Sequence, residues 1–227
     1  MSGRPAAPET ERSVAPEPEF AVLGARTVRH AATPTLLLDV QVSEPDGHEV
    51  YMIALTIQVM IEPARRTYDD VARRRLEGLF GPPERWAMTT RSLVWCQLDV
   101  VVPAFTGSTT VAVPIACSYD HEVAAAKYLH ALEDGEVPLA LHFNGVVYYP
   151  NERGGLQMML IPWSSSVGFR MPVDVWRQTV EHYYPNTGWV GLRTETLEAL
   201  EHRRVQGAHA TLDATVHSLL EERDGDA

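Results

Sequence analysis

Lysine is almost missing from this chain: Lys127 stands alone, and every other basic residue is arginine. Acid outweighs base, with 30 Asp and Glu against 19 Lys and Arg, for a formal charge of −11. A net acidic surface repels phosphate backbones, which argues against nucleic acid as a partner. The one dense basic run, Arg73 to Arg75 with Arg65 and Arg66 before it, fans around a helix instead of lining one side. Pairing with nearby acid is the expected use of those arginines. Cysteine is scarce too. Cys96 and Cys117 lie in separate apolar segments without a CxxC, and read as buried thiols of a reducing compartment, with a disulfide as the rarer alternative. Long apolar runs are absent: the longest segment, around Tyr51 to Ile61, is too short and too polar to span a bilayer. The first twenty residues hold Glu9, Glu11 and Glu17 among prolines and do not read as a secretory signal. The expectation is a cytoplasmic protein that engages neither membrane nor nucleic acid.

Motifs that carry chemistry are missing as well. No G-x-G-x-x-G or G-x-x-x-x-G-K occurs, and Gly154-Gly155 precedes a strand, not the helix start that cradles an anion. His121-Glu122 begins an H-E-x-x pattern, but Ala125 stands where a metalloprotease needs its second histidine. His121 and His130 are nine apart, on opposite sides of a helix. Cys117 and His121 with Cys96 form the one zinc set worth carrying forward. Ser164 to Ser166 do not make G-x-S-x-G, although His142 or His182 with Asp174 supplies a base and acid on paper. The carboxylates Asp69-Asp70 suit a helix start, and Glu133, Asp134 and Glu136 surround a turn.

What is present is a 227-residue chain, 45% apolar and 22% charged, enough for one sizeable core. Strand alternation dominates its first half. Phe20 to Val28 and Thr35 to Ser43 are strands, the latter with Leu36, Leu38, Val40 and Val42 on one face. A Pro45-Asp46-Gly47-His48 turn leads to Val50 to Ile61, where Ile53, Leu55, Ile57, Val59 and Ile61 keep one face apolar. The turn predicts a hairpin of these two strands. A second strand pair is expected from Leu93 to Val102 and Thr109 to Cys117, with Pro114 at an edge or bulge. Val137 to Tyr149 is a strand with a bulge or bend at Asn144-Gly145, followed by a turn and Leu156 to Ile161. Helices are expected at Thr67 to Leu79, at His121 to Leu132 behind an Asp120 cap, and over 173–184, 194–205 and 210–220. Ser164 to Ser166 read as loop.

Aromatics crowd the second half: Tyr148, Tyr149, Trp163, Phe169, Trp176, Tyr183, Tyr184 and Trp189. Val173, Trp176 and Val180 fall on one helical stripe, so Trp176 is expected in the core, with the other rings divided between core and a recognition surface. Met158 and Met159 point to opposite faces of their strand, so at least one is a candidate partner contact.

Three segments, AAAKYLHALEDGEVPLALHFNGVVYY (124–149), GGLQMMLIPW (154–163) and RMPVDVWRQTVEHYYPNTGW (170–189), resemble an uncharacterised family of actinobacterial proteins of about this length. The resemblance covers nearly all of the chain after its tail. Members of that family often lie beside genes for nickel–iron hydrogenase subunits and accessory proteins, which implies an accessory or assembly role and supplies no catalytic residues. The hairpin-rich, acidic N-terminal half also resembles the layout of SecB-type export chaperones, which bind clients on apolar grooves of an oligomer.

The fold class expected is α+β: a mostly antiparallel sheet of about six to eight strands, interspersed helices and a helical C-terminal third. Residues 1–18 read as a disordered Pro/Glu-rich tail, 19–222 as a single domain and 223–227 as a frayed acidic tail. The function expected is a non-catalytic interaction or accessory protein that supports hydrogenase assembly. Its partners would be hydrogenase subunits or maturation factors, and a homo-oligomer is compatible with that role. Alternatives stay open. One is an enzyme of unrecognised type drawing on His121, His130, His142, His182, Glu122 and Asp174. Others are a metal carrier built on Cys96, Cys117 and His121, and a SecB-like client-binding protein. No catalytic, cofactor-binding or metal-binding residue is assigned, and no cofactor is expected.

Overall fold

The structure, a computed structural model, describes residues 15–117, 123–151, 153–162, 164–187 and 190–225. Among them are ten strands and six α-helices, with every strand pairing antiparallel, so the fold is α+β with helices toward the C-terminus. The strands are β1 (Glu19–Thr27), β2 (Thr35–Ser43), β3 (Glu49–Val50), β4 (Met52–Ile61), β5 (Leu93–Val102), β6 (Phe105–Thr106), β7 (Ser108–Ala116), β8 (Glu136–Pro150), β9 (Leu156–Leu160) and β10 (Ser166–Pro172). The helices are α1 (Asp70–Phe80), α2 (Trp86–Thr89), α3 (Val123–Ala131), α4 (Val173–Tyr183), α5 (Thr194–Gln206) and α6 (Leu212–Gly225). No helix among the described residues is long and apolar enough to cross a membrane.

The alternation read from the sequence is real, but the strands pair differently from the expectation. β2 lies between β1 and β7, whereas β4 lies between β5 and β8. The expected β2–β4 hairpin is therefore absent, and so is the expected β5–β7 pair. The turn after Ser43 carries the chain from one sheet to the other, and the stretch between β5 and β7 does the same. Each sheet turns one face inward: Leu36, Leu38, Val40 and Val42 of β2 and Ile53, Ile57, Val59 and Ile61 of β4 are fully buried. The stacked rings of Phe20 on β1 and Phe143 on β8, with centroids 4.2 Å apart, join the layers. Two stripes of one-face apolar residues satisfy each other as well by stacking across a core as by lying side by side. Sequence alternation is the same in both cases. β7 pairs with β2 alone, so Pro114 sits on an edge strand as expected, where its missing N–H costs the ladder least.

β8 is the spine of the larger sheet. It runs unbroken through Asn144-Gly145 against β4 with no shift of register, which corrects the expected bulge or bend. The glycine is needed for contact instead: a Cβ on Gly145 would lie 2.1 Å from the Ala54 carbonyl oxygen. On its other side β8 pairs first with β10 and then with β9. β10 replaces the loop expected around the serines; Val167, Phe169 and Met171 supply a short alternation that its glycine, arginine and proline obscure.

The chain divides into two compact units between Asn186 and Thr187. In the first, α1 starts on an Asp69 cap, whose Oδ1 accepts the Ala72 N–H at 2.7 Å, and ends at Gly81 with φ 77°. α4 buries Val173, Trp176, Thr179 and Val180. The Tyr183 hydroxyl accepts from the Ala31 N–H and donates to the Ala31 carbonyl, both at 2.8 Å. The second unit holds α5 and α6, joined by Arg203 on Glu222 at 2.6 Å.

Candidate functional site

The described groups an enzyme would need are spread over α3, β8 and α4. His130 lies on α3 with its ring edge-on to Trp176, centroids 4.6 Å apart, and burial lowers its pKa. His142 is exposed on β8. Its register neighbours are Ser166 on β10 and Gln58 on β4, so a serine does face a histidine, with an amide and not an acid on the third strand. His182 and Asp174 are exposed on α4, and the His182 ring bonds the Arg29 carbonyl at 3.0 Å. His121, Glu122 and the expected Asp120 cap lie outside the described residues, as do Trp163 and Trp189. Cys117 is a buried free thiol 3.7 Å from the Ile115 carbonyl, so no disulfide joins it to Cys96. Burial pushes its pKa up to about 12. Cys96 is half-buried on β5.

The arginine run serves local ties. Arg75 reaches Glu133 at 2.7 Å, Arg65 reaches Glu62 at 2.6 Å, and Arg66 donates to the carbonyls of Asp134 and Glu136. Beneath Arg66 lies an aromatic cluster of Tyr68, Phe80, Trp86 and Tyr128 that sequence reasoning missed, because its members are spread over sixty residues. The Tyr68 hydroxyl donates to the Pro63 carbonyl at 2.7 Å and accepts from the Tyr128 hydroxyl at 2.8 Å. Burial raises both phenols, so neither is an acid or base near neutrality.

Among the described residues, Glu44, Asp46 and His48 are the acid–histidine group whose oxygen and nitrogen atoms approach within 4.8 Å of one another. Glu44 is buried and its carboxylate closes the turn, accepting the His48 N–H at 2.6 Å and the His48 ring at 2.9 Å. Burial works to raise the Glu44 pKa, yet the bonds from His48 and the Gly47 N–H outweigh it and the net shift is downward. The bond to Glu44 raises His48, helped by the charges of Glu44 and Asp46 and opposed by desolvation. These contacts make it the clasp of the turn.

The strongest surface feature is the outer face of the five-stranded sheet. Its register sets Leu160, Val146, Ala54 and Val101 in one row across β9, β8, β4 and β5. The next row is Met158, Tyr148 and Met52, and beyond it Leu156 faces Pro150. Leu160 and Met158 are each 72% exposed, Val101 64% and Leu156 55%. The other end of the same face is polar, with Asn144, Thr56 and Asp99 in one row and Ser166, His142, Gln58 and Gln97 in the next. The Thr56 hydroxyl bonds Asp99 at 2.6 Å along that boundary. An apolar patch with a polar border is the form a macromolecular contact takes, and it holds none of the convergent donors that fix a small substrate.

Comparison with known sequences identifies the family. Residues 15–227 match a family of unknown function, DUF6084. The chain belongs to that family. No curated protein matches it. Two solved structures match part of this chain. The solution structure of a protein provisionally assigned to the late embryogenesis abundant (LEA) class is 14% identical over 70% of this chain and 75% of its own, with a TM-score of 0.29. The crystal structure of a protein provisionally called ApaA, from Bordetella pertussis, is 10% identical over 69% of this chain and 94% of its own, with a TM-score of 0.24.

Of the described aromatics of the second half, Tyr148 alone belongs to this surface. Trp176 and Tyr149 are buried, and Tyr148, Phe169, Tyr183 and Tyr184 are half-buried. The core reading of Trp176 therefore holds. Among the described residues the exposed large apolar side chains are, apart from Tyr51, aliphatic or methionine; Met158 is one of them and Met159 is turned toward the core, as their alternation required. The signal for this face was the apolar run LQMMLI, legible as a strand but not as an exposed one.

Proposed function

We propose that this protein is a non-catalytic interaction protein, acting as an accessory factor in nickel–iron hydrogenase assembly. The observation that carries the interaction reading is the apolar end of the outer sheet face, formed by Leu160, Val146, Ala54 and Val101 with Met158, Tyr148 and Met52. Solvent contact with so many neighbouring apolar groups is unfavourable by roughly 25 cal/mol per Å². Covering them supplies the free energy of association, while the polar rows at His142 and Asn144 border the contact. The link to hydrogenase comes from the family resemblance alone, and it is the more specific part of the proposal.

A native pull-down from hydrogenase-expressing cells, read by mass spectrometry, tests both parts. Wild-type protein should recover a hydrogenase subunit or maturation protein, and Val101→Arg, which sets a charge in the apolar row without touching the core, should lose it. Recovery by Val101→Arg equal to wild type would remove this face from the interaction. Absence of every hydrogenase-related protein from the wild-type sample would remove the hydrogenase assignment.

A further inference from the structure

We propose that β9 is the edge through which two copies of this chain pair, antiparallel to each other about a two-fold axis at Met158. The inference rests on the interaction reading above, and adds to it a partner, a second copy, and a mode, strand addition.

The main chain shows which groups are available. The Ile161 N–H donates to the Gly145 carbonyl at 3.0 Å and the Asn151 N–H to the Gly155 carbonyl at 2.7 Å, both in the register of the β8–β9 ladder. Hydrogen-bonded pairs in an antiparallel ladder recur at every second residue. Gln157 and Met159 therefore bond inward to β8, and Leu156, Met158 and Leu160 turn their N–H and C=O groups away from it. Among the described residues β9 has β8 as its sole strand partner.

The free ladder has defined ends. The next outward position, Pro162, has no N–H, and its carbonyl already accepts the Ser165 N–H at 3.0 Å. At the other end Gly154 has φ 77° and gives its N–H to the Asn151 carbonyl. The outward set is thus Leu156, Met158 and Leu160, and its centre is Met158. A second β9 laid antiparallel on this set places Leu156 opposite Leu160 of the second copy and Met158 opposite its own equivalent, each pair exchanging both main-chain hydrogen bonds. The side chains of these residues are the exposed ones of the outer face, so pairing sets them beside their equivalents and extends the apolar rows from one copy into the next.

Charge selects a second copy as the occupant. Residues 154–162 carry no charge in a chain whose formal charge is −11. Two copies repel over most surfaces they could present, but β9 against β9 opposes no like charges. Edge strands of monomers are usually blunted by charge, proline or a bulge, and Leu156–Leu160 has none of these.

The test uses the purified full chain, so it is independent of any hydrogenase protein. Sedimentation velocity over a concentration series should show wild type passing from monomer to dimer. Met158→Lys and Met158→Glu each set like charges opposite one another on the axis and should stay monomeric. Their equimolar mixture should dimerise, since lysine then faces glutamate. Val101→Arg, on the far strand of the sheet, should dimerise as wild type does. On wild type itself, hydrogen exchange at the amides of Leu156, Met158 and Leu160 should slow at least tenfold from the monomeric to the dimeric end of the series. A wild type that stays monomeric throughout overturns the proposal. So does dimerisation of either charged variant alone, a mixture that fails to pair, or exchange at those three amides that ignores concentration. Failure here with a successful pull-down leaves the interaction reading standing, and the reverse outcome leaves the dimer standing.

Discussion

At the scale of single residues, two positions show how little of a residue's role is visible from its type. Gly145 sits mid-strand, where glycine is normally a weak choice, because the Ala54 carbonyl passes through the space a Cβ would fill. Gly145→Ala must push β4 and β8 apart, so it should lower stability by about 1–3 kcal/mol, read as a reduced urea midpoint at unchanged slope. The Glu44–His48 clasp makes a different prediction. The His48 pKa is raised in the fold, so its contribution to stability is complete below the ordinary value of 6.5 and is lost as pH rises through the folded value. The Glu44 pKa is lowered, so its contribution is present above 4.5 and is lost as pH falls through the folded value. The clasp is therefore strongest between those two ordinary values. His130, lowered by burial, opposes it on the acid side of 6.5, where the unfolded chain takes up the proton first. Comparing His48→Gln with wild type cancels that background. The wild-type advantage in urea unfolding should be present near pH 6 and should fade in alkaline buffer; a difference constant with pH would show that His48 does not titrate against Glu44.

At the scale of elements, periodicity was a good guide to what each segment is. It was a poor guide to what each segment touches. β2 and β5 have the bounds the alternation predicts, and α4 buries the Val173, Trp176 and Val180 stripe that helical spacing defines. Trp176 is 5% exposed and packs edge-on against His130 of α3. Trp176→Ala should cost about 3–5 kcal/mol, visible as a large fall in Tm, because the helix, α3 and the sheet all lose contacts at one cavity. An unchanged melting curve would contradict its place in the core. Pairing was another matter. The hairpin expected of β2 with β4 and the pairing expected of β5 with β7 do not form, since each strand needs only one apolar face covered and the opposite sheet covers it. β10 was missed because Gly168, Arg170 and Pro172 leave only three apolar positions to carry the alternation.

At the scale of the whole molecule, the first compact unit covers one face of each sheet in a common core and leaves the apolar end of one outer face in solvent. The proposed partner contact and the proposed β9 pairing both draw on that arrangement, one through side chains and the other through main-chain groups at its rim. The amino-acid sequence by itself determined the α+β class, the extent of most strands and helices, the core place of Trp176 and the divergence of Met158 from Met159. Each of these follows from local periodicity, which records what lies on a face and not what lies against it. Only the tertiary structure decided which strands share a sheet, why Gly145 must be glycine, that Tyr68, Phe80, Trp86 and Tyr128 meet, and that Leu156, Met158 and Leu160 face solvent at an open edge. These depend on contacts between distant segments, and an apolar residue has the same identity whether another layer covers it or water does.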